Sequence, residues 1–293
     1  MGAEASERGS EPASGPPSEQ AVRRARRRQA SLLGLWGVLG GLSVLPYALA
    51  LQADRLALIT QKGGPSLLSL AAIGAVQTTV LVVAAVLLGL AAARRAGLGA
   101  PLTWALSCGV PVHKVLGPWR RFVAGPLALG LLLGLLAALL DGLVFMPAEP
   151  ALRALGQKAL ADVALWKGAL ACFYGGLTEE ILLRLLVMSG VALLLKRLWR
   201  SEASPLPAWM LWAANAAAAL LFAAAHLPAA GALLPLTPLV VVRTFVLNAG
   251  LGLGFGWLYM RRGLEAAMLG HFCCDVVLHV AAPAWLLWRG LPS

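Results

Sequence analysis

The chain has 293 residues, of which 59% are hydrophobic and only 13% are charged, and its mean hydropathy is +0.79. Soluble domains carry about 25% charged residues, so this composition excludes an ordinary soluble protein and predicts several membrane spans of about 20 residues each. The net charge of +11 does not indicate a nucleic-acid partner. The basic residues lie in short clusters at the ends of apolar runs, where anionic lipid attracts them.

The first segment in chain order, residues 1–30, is predicted to be a disordered basic tail. It is rich in Ser, Pro, Gly, Glu and Arg, and such a composition cannot bury enough apolar surface to fold alone. Five arginines lie close to its end, directly before the first apolar run: Arg23, Arg24, Arg26, Arg27 and Arg28. This cluster predicts a cytoplasmic N-terminus.

Seven apolar runs follow the tail, and all of them are too long for strands. They lie at roughly 31–51, 67–93, 122–146, 163–195, 207–227, 239–260 and 263–288. Only a helix satisfies every backbone hydrogen bond of such a segment internally, so we predict an all-α, polytopic transmembrane helix bundle of about seven to eight spans. The eighth span would arise if one run is broken or if residues 100–116 enter the bilayer.

The organisation of the chain follows from these runs. Residues 31–160 are predicted to form the N-terminal transmembrane helices, and residues 161–293 the core that carries the chemistry. Positive clusters recur at every second loop, as the positive-inside rule requires. Arg is far commoner than Lys, and Ala and Leu dominate, which is typical of a GC-rich bacterial genome. We therefore expect an integral protein of the bacterial inner membrane.

Ionisable side chains inside the apolar runs are the strongest functional signal. Each costs about 2.5–3.5 kcal/mol at the centre of a span, so such residues usually face a cavity and have a function. The informative ones are Glu179, Glu180, Arg184, His226, His271, Asp275 and His279, with Asp141 and Arg243 as lesser cases.

The adjacent acids Glu179 and Glu180 cannot point in one direction, because neighbours on a helix are about 100° apart. Arg184 follows Glu180 by four residues and should therefore stack against it. The simplest division pairs Glu180 with Arg184 and leaves Glu179 directed into a cavity. A carboxylate placed there suits a general base or acid.

The histidines lie on the later runs. His226 ends the fifth run and shares a helix face with Phe222 at the i, i+4 spacing. His271 and Asp275 have the same spacing on the last run, which would let the carboxylate accept from the imidazole and fix its tautomer. His279 continues that face one turn further.

Two chemistries remain open for such a cluster. No cofactor is assured, but His and carboxylate are good zinc ligands, so a divalent metal such as zinc is one alternative, although the HExxH arrangement is absent. The other is direct activation of a water by Glu and His, with a further His and an acid stabilising the oxyanion. No Ser or Cys lies in a nucleophile motif of the GxSxG type.

Three motifs inside apolar helices resemble a known family. They are Glu179-Glu180-x-x-x-Arg184, Phe222-x-x-x-His226 and His271-x-x-x-Asp275, in that order. The glycine-studded run from Gly250 to Tyr259, followed by Arg261-Arg262-Gly263-Leu264, is also similar. Together these features resemble the CAAX-protease and bacteriocin-processing family (CPBP, also called Abi) over roughly residues 165–280. The resemblance implies a membrane-embedded endopeptidase.

The resemblance also implies roles for the motif residues. Glu179 would be the base that activates the hydrolytic water, assisted by His226. Glu180 and Arg184 would shape the site. These implied roles do not require a metal ion, and the metal dependence of the protein stays undetermined.

The third motif of the family implies that His271 and Asp275 face the scissile carbonyl and stabilise the oxyanion. Two features depart from the usual pattern. Leu183 and Leu185 flank Arg184, where the family commonly has an aromatic residue and Gly. Asp275 stands where the family often has Asn, and an ionised Asp cannot donate a hydrogen bond, so it would act when protonated or by orienting His271.

The predicted function is hydrolysis of a peptide bond of a membrane peptide or a C-terminal protein segment, within or near the bilayer. The first alternative is a non-catalytic bacteriocin-immunity or membrane scaffold protein of the same family. The second is a proton-coupled transporter, against which the lack of an internal repeat counts. The sequence names neither the substrate nor its prenylation state.

Overall fold

The computed structural model describes residues 18–46, 49, 64–154 and 165–289, and every element in this part of the chain is helical. The elements in chain order are α1 (Glu19–Ser43), α2 (Leu67–Ala96), α3 (Pro101–Cys108), α4 (Val112–Leu116), α5 (Trp119–Leu140), π1 (Asp141–Phe145), α6 (Met146–Ala148), α7 (Leu165–Phe173), π2 (Tyr174–Glu179), π3 (Ile181–Met188), α8 (Ser189–Leu198), α9 (Ala208–Ala225), α10 (Leu227–Leu233), α11 (Pro238–Arg262), α12 (Leu264–Val276), π4 (Val277–Ala281) and α13 (Ala282–Arg289). The predicted all-α class is confirmed.

Five helical segments of the described residues are long and apolar enough to cross a membrane. They are Leu68–Ala96, Trp119–Ala148, Ala208–Leu233, Pro238–Arg262 and Leu264–Arg289. Many of their leucines and valines are exposed on the outer face of the bundle, as a lipid-facing surface requires. The chain is therefore an integral membrane protein.

The first helix begins earlier than the sequence predicted. α1 starts at Glu19, inside the segment that was expected to be disordered, while residues 1–17 lie outside the described residues. The Ser18 hydroxyl caps the helix by accepting from the backbone N–H of Ala21. Ala25 and Gln29 are buried, and the Gln29 amide donates to the carbonyl of Ala100. These tertiary contacts order an arginine-rich stretch whose composition alone predicts a tail.

The long helical run from α7 through α8 forms the centre of the bundle. It packs against α1, α2, α9 and α12. Half of the most apolar 18-residue stretch of the last span is buried inside the bundle, compared with 17% of the corresponding stretch in each of the first two spans. Of the five candidate spans, the one that carries His271, Asp275 and His279 is therefore the most enclosed.

A single turn connects the last two spans and determines where the last one begins. Gly263 joins α11 to α12 with a φ of +88°, a left-handed conformation that favours glycine. The backbone N–H of Leu264 donates to the Gly99 carbonyl at 3.0 Å, which anchors the turn to the loop after α2. His271 follows Gly263 by eight residues, which places it about 12 Å along α12.

Candidate active site

Both acids of the first motif lie where the helix departs from regular α geometry. Glu179 ends π2, and π3 begins directly after Glu180, whereas the sequence prediction assumed an unbroken α-helix. The Thr178 hydroxyl donates to the Gly37 carbonyl of α1 at 2.8 Å and fixes this segment against its neighbour. Widened π turns occur frequently at functional sites, because they re-aim side chains.

Glu180 and Arg184 form the ion pair that the sequence predicted. Glu180 Oε1 lies 3.1 Å from Arg184 Nη1, and both side chains are wholly buried. Arg184 Nη2 donates to the Gly252 carbonyl at 2.8 Å. The guanidinium also lies 5.3 Å from the ring centre of Phe222 and 5.6 Å from that of Phe255. These contacts offset part of the cost of burying the charge, whereas Arg184 Nε and Nη1 have no hydrogen-bond partner among the described residues.

The imidazole of His271 donates to a different carboxylate than the sequence predicted. Its Nδ1 lies 2.8 Å from Glu180 Oε1, whereas its Nε2 lies 3.6 Å from Asp275 Oδ1, which is too long for a direct hydrogen bond. Glu180, and not Asp275, therefore orients the imidazole. The Phe255 ring stacks on the imidazole at 4.3 Å and 18°, which holds its plane.

Two carboxylates approach the second nitrogen of the same imidazole. Glu179 Oε2 lies 3.8 Å from His271 Nε2, and Asp275 Oδ1 lies 3.6 Å from it. The carboxylates of Glu179 and Asp275 are 15% and 10% exposed, whereas Glu180 is fully enclosed. Glu179 is thus the accessible acid of the pair, as predicted.

His226 lies at the end of α9, beside this cluster. Its Nδ1 is 2.8 Å from the Phe222 carbonyl of its own helix. The Phe222 ring lies edge-on to both His226 (4.6 Å) and His271 (5.8 Å), so the two imidazoles flank one aromatic ring. Within the described ranges, His226 has no hydrogen bond or ion pair with Glu179 or Asp275. The structure therefore brings it near the other motif residues without a direct polar contact.

The remaining ionisable residues separate into two groups. His279 Nε2 lies 3.9 Å from Asp275 Oδ1, and the side chain is half exposed, at the edge of the site. Asp141 and Arg243 form a separate bidentate ion pair with distances of 2.6 and 2.5 Å. This pair joins π1 to α11 and makes no contact with the motif residues.

Three residues that the sequence did not single out as site residues shape the cluster. Phe255 stacks on His271, and the Gly252 carbonyl accepts from Arg184; both belong to the glycine-studded run of α11. Gly175 faces Asp275 so closely that a Cβ would overlap the carboxylate, and it would stand 3.1 Å from His271 Nε2. Their only sequence signal was the unusual density of glycine beside the motifs.

Metal ligation was the second chemistry that the sequence left open. Across the described residues, no group of three or more His, Cys, Asp or Glu is arranged so that it could hold a metal ion.

Replacement of Gly175 by Ala should displace the Asp275 carboxylate and disturb the site without unfolding the bundle. The overlapping atom is the end of a rotatable side chain, which can turn away from the new methyl group. We expect peptide cleavage to fall at least about tenfold, because small displacements of positioned groups are costly. Gly190→Ala is the matched control, since a Cβ there meets nothing within 4 Å. Equal cleavage by both variants would exclude a role for Asp275.

The fold and the site together define a polytopic helical membrane protein with a cluster of carboxylates, imidazole and guanidinium enclosed among its spans. Residues 161–277 match the family described as type II CAAX prenyl endopeptidase Rce1-like. The match confirms the resemblance to the CAAX-protease family, and it covers the segment that carries all three motifs. That family is a protease family. No curated protein and no solved structure was found to match the chain.

Proposed function

We propose that the protein is an intramembrane endopeptidase of the CAAX prenyl protease type, which hydrolyses a peptide bond with a water activated by Glu179. The observation that carries the proposal is the convergence of Glu179 and Asp275 on His271 Nε2 at 3.8 and 3.6 Å. The family match supports a protease of this general type. The protein would act on a membrane peptide or a C-terminal segment in the bacterial inner membrane.

In this proposal the two adjacent acids have different tasks. Glu179 is partly accessible and makes no hydrogen bond with the described residues, so it is the acid able to accept a proton from water. Glu180 is enclosed, paired with Arg184 and bonded to His271 Nδ1, so it sets the orientation and the tautomer of the imidazole. Each task follows from the environment of the carboxylate.

His271 would stabilise the developing oxyanion through Nε2. Glu180 accepts from Nδ1–H, so Nε2 would donate to the oxyanion from the protonated imidazolium, which carries a hydrogen on both ring nitrogens. Asp275 can assist as a proton donor, or by stabilising the imidazolium across the 3.6 Å gap. His226, whose ring contacts the same Phe222 ring as His271, would assist Glu179 with the water.

A cleavage assay with the full chain in liposomes tests this proposal. The substrates are membrane-anchored reporter peptides, prepared with and without a prenylated C-terminal cysteine, and the cleavage site is mapped by mass spectrometry. In ¹⁸O-labelled water the new C-terminus should take up one labelled oxygen. We expect His271→Gln to lower the rate about 10²–10³-fold, the effect of losing one oxyanion donor.

Binding measurements on the same reporters separate the protease from a non-catalytic family member. A catalytic site predicts that His271→Gln loses cleavage and keeps most of its affinity for the reporter. If the parent protein binds the reporters with no cleavage, and His271→Gln binds equally well, the immunity or scaffold function is correct and the proposal is wrong.

A further inference from the structure

A cavity lies between α1, α2 and the turn that joins α11 to α12. Its volume is about 510 Å³. Much of its lining is apolar, and the larger apolar residues are Val22, Leu90, Leu98, Trp104 and Met260. The buried Gln29 also lines it. The three polar motifs and the proposed catalysis do not use this cavity, although the Arg261-Arg262-Gly263 turn that lines it belongs to the stretch that is similar to the family.

Four arginines line the same cavity, and no acidic residue does. They are Arg26, Arg94, Arg261 and Arg262, contributed by three helices. Arg262 donates to the Arg121 carbonyl at 2.7 Å. The arginine–carboxylate pairs in the described part of the chain involve Arg23, Arg184 and Arg243, so none of the four has a carboxylate partner there. Several like charges around one cavity are unfavourable unless an anion joins them.

The position of the arginines along their helices places the cavity at the edge of the membrane. Arg94 lies in the last turn of α2, and Arg261 and Arg262 lie in the last turn of α11, where two apolar spans end. Trp104 lines the cavity at the same level, and Trp is typical of membrane–water interfaces. Basic pockets between spans at this level bind the headgroups of anionic lipids.

The cavity is separate from the candidate active site. Gly252, which accepts from Arg184, precedes Arg261 by nine residues on α11, a distance of about 13 Å along the helix. Tyr259 lines the cavity, and its hydroxyl is hydrogen-bonded to Ser189 at 2.7 Å. A ligand of the cavity would therefore not contact the groups around His271.

We propose that this cavity is a binding site for the phosphate-bearing headgroup of an anionic phospholipid. The guanidinium groups of Arg26, Arg94 and Arg261 supply planar, bidentate donors for the phosphate oxygens. The apolar lining accommodates the glycerol and the start of an acyl chain, which distinguishes a lipid from free phosphate. The site does not depend on the proposed protease activity.

Lipid titration of the purified full chain in a neutral detergent tests the site. The probes are short-chain phosphatidylglycerol, phosphatidylcholine of the same chain length and inorganic phosphate, and binding is measured by native mass spectrometry and by the shift in Tm. We expect phosphatidylglycerol to bind and to raise the Tm of the protein by considerably more than phosphatidylcholine does. Arg94→Gln/Arg261→Gln should weaken this binding about 30-fold, equivalent to about 1 kcal/mol for each arginine near an anionic lipid.

The matched control is Arg120→Gln/Arg197→Gln, which removes two exposed arginines that do not line the cavity and gives the same change of net charge. It should bind phosphatidylglycerol like the parent. Equal weakening in both double variants, or equal binding of the two lipids, would overturn the proposal. Full reproduction of the Tm shift by inorganic phosphate would overturn the assignment to a lipid. Because all four substituted arginines are exposed, folding of the variants is checked by their Tm without lipid.

Discussion

Glu179→Gln is expected to lower the rate of peptide cleavage about 10²–10⁴-fold, the contribution of a general base. The amide keeps the size of the side chain but cannot accept the proton of the attacking water. Glu179 is the partly exposed acid of the pair and makes no hydrogen bond in the described structure, so the thermal stability should change little. The measurement is the initial rate on the reporter peptide in liposomes, together with the Tm in detergent.

Glu202→Gln is the matched control for this change. Glu202 is exposed in the loop before α9, so the same loss of charge occurs away from the cluster. It should leave the cleavage rate unaltered. Cleavage by Glu179→Gln at the parental rate would show that another group activates the water, with the adjacent Glu180 as the first acid to test.

Arg184→Met is expected to destabilise the fold by about 3–5 kcal/mol, because it leaves the wholly buried Glu180 carboxylate without its cationic partner. Glu180 Oε2 already has no hydrogen-bond partner among the described residues, so the local structure has no donor in reserve. The Gly252 carbonyl would also lose its donor. Unfolding in mixed micelles with increasing denaturant measures the loss.

The double variant Arg184→Met/Glu180→Gln separates charge from packing. It removes both charges and keeps a side chain able to bond to His271, so it should recover part of the lost stability. Arg197→Met is the control, since Arg197 is exposed on α8 of the same helical run. Equal stability of Arg184→Met and the parent would mean that the ion pair contributes nothing to the fold.

Much of the site was predictable because one-dimensional spacing determines contacts within a helix. The interval between Glu180 and Arg184 predicted an ion pair, and the two groups do form one. The position of Glu179 as the more accessible acid followed from the angle between neighbouring residues, and the exposed fractions agree. The π turns around both acids gave no such signal, because they depend on packing against α1 and α12.

Contacts between helices were not predictable in the same way. The i, i+4 spacing predicted a contact between His271 and Asp275. The shorter contact of His271 is with Glu180, which lies 91 residues away in the sequence. Phe255 and Gly175 likewise became part of the site only when α11 and π2 packed beside α12. A single sequence carries no information on which of several nearby acceptors an imidazole will reach.

The sequence by itself determined the class of fold and the location of the buried ionisable cluster, because apolar runs in a bilayer must form helices and ionisable residues there need one another. Only the tertiary structure decided which acid orients His271, which residues enclose Arg184, and that four arginines from three helices line one cavity. Such arrangements depend on the rotation of each helix about its axis and on the distance between neighbouring helices. Close contacts, such as that of Gly175 with Asp275, determine both.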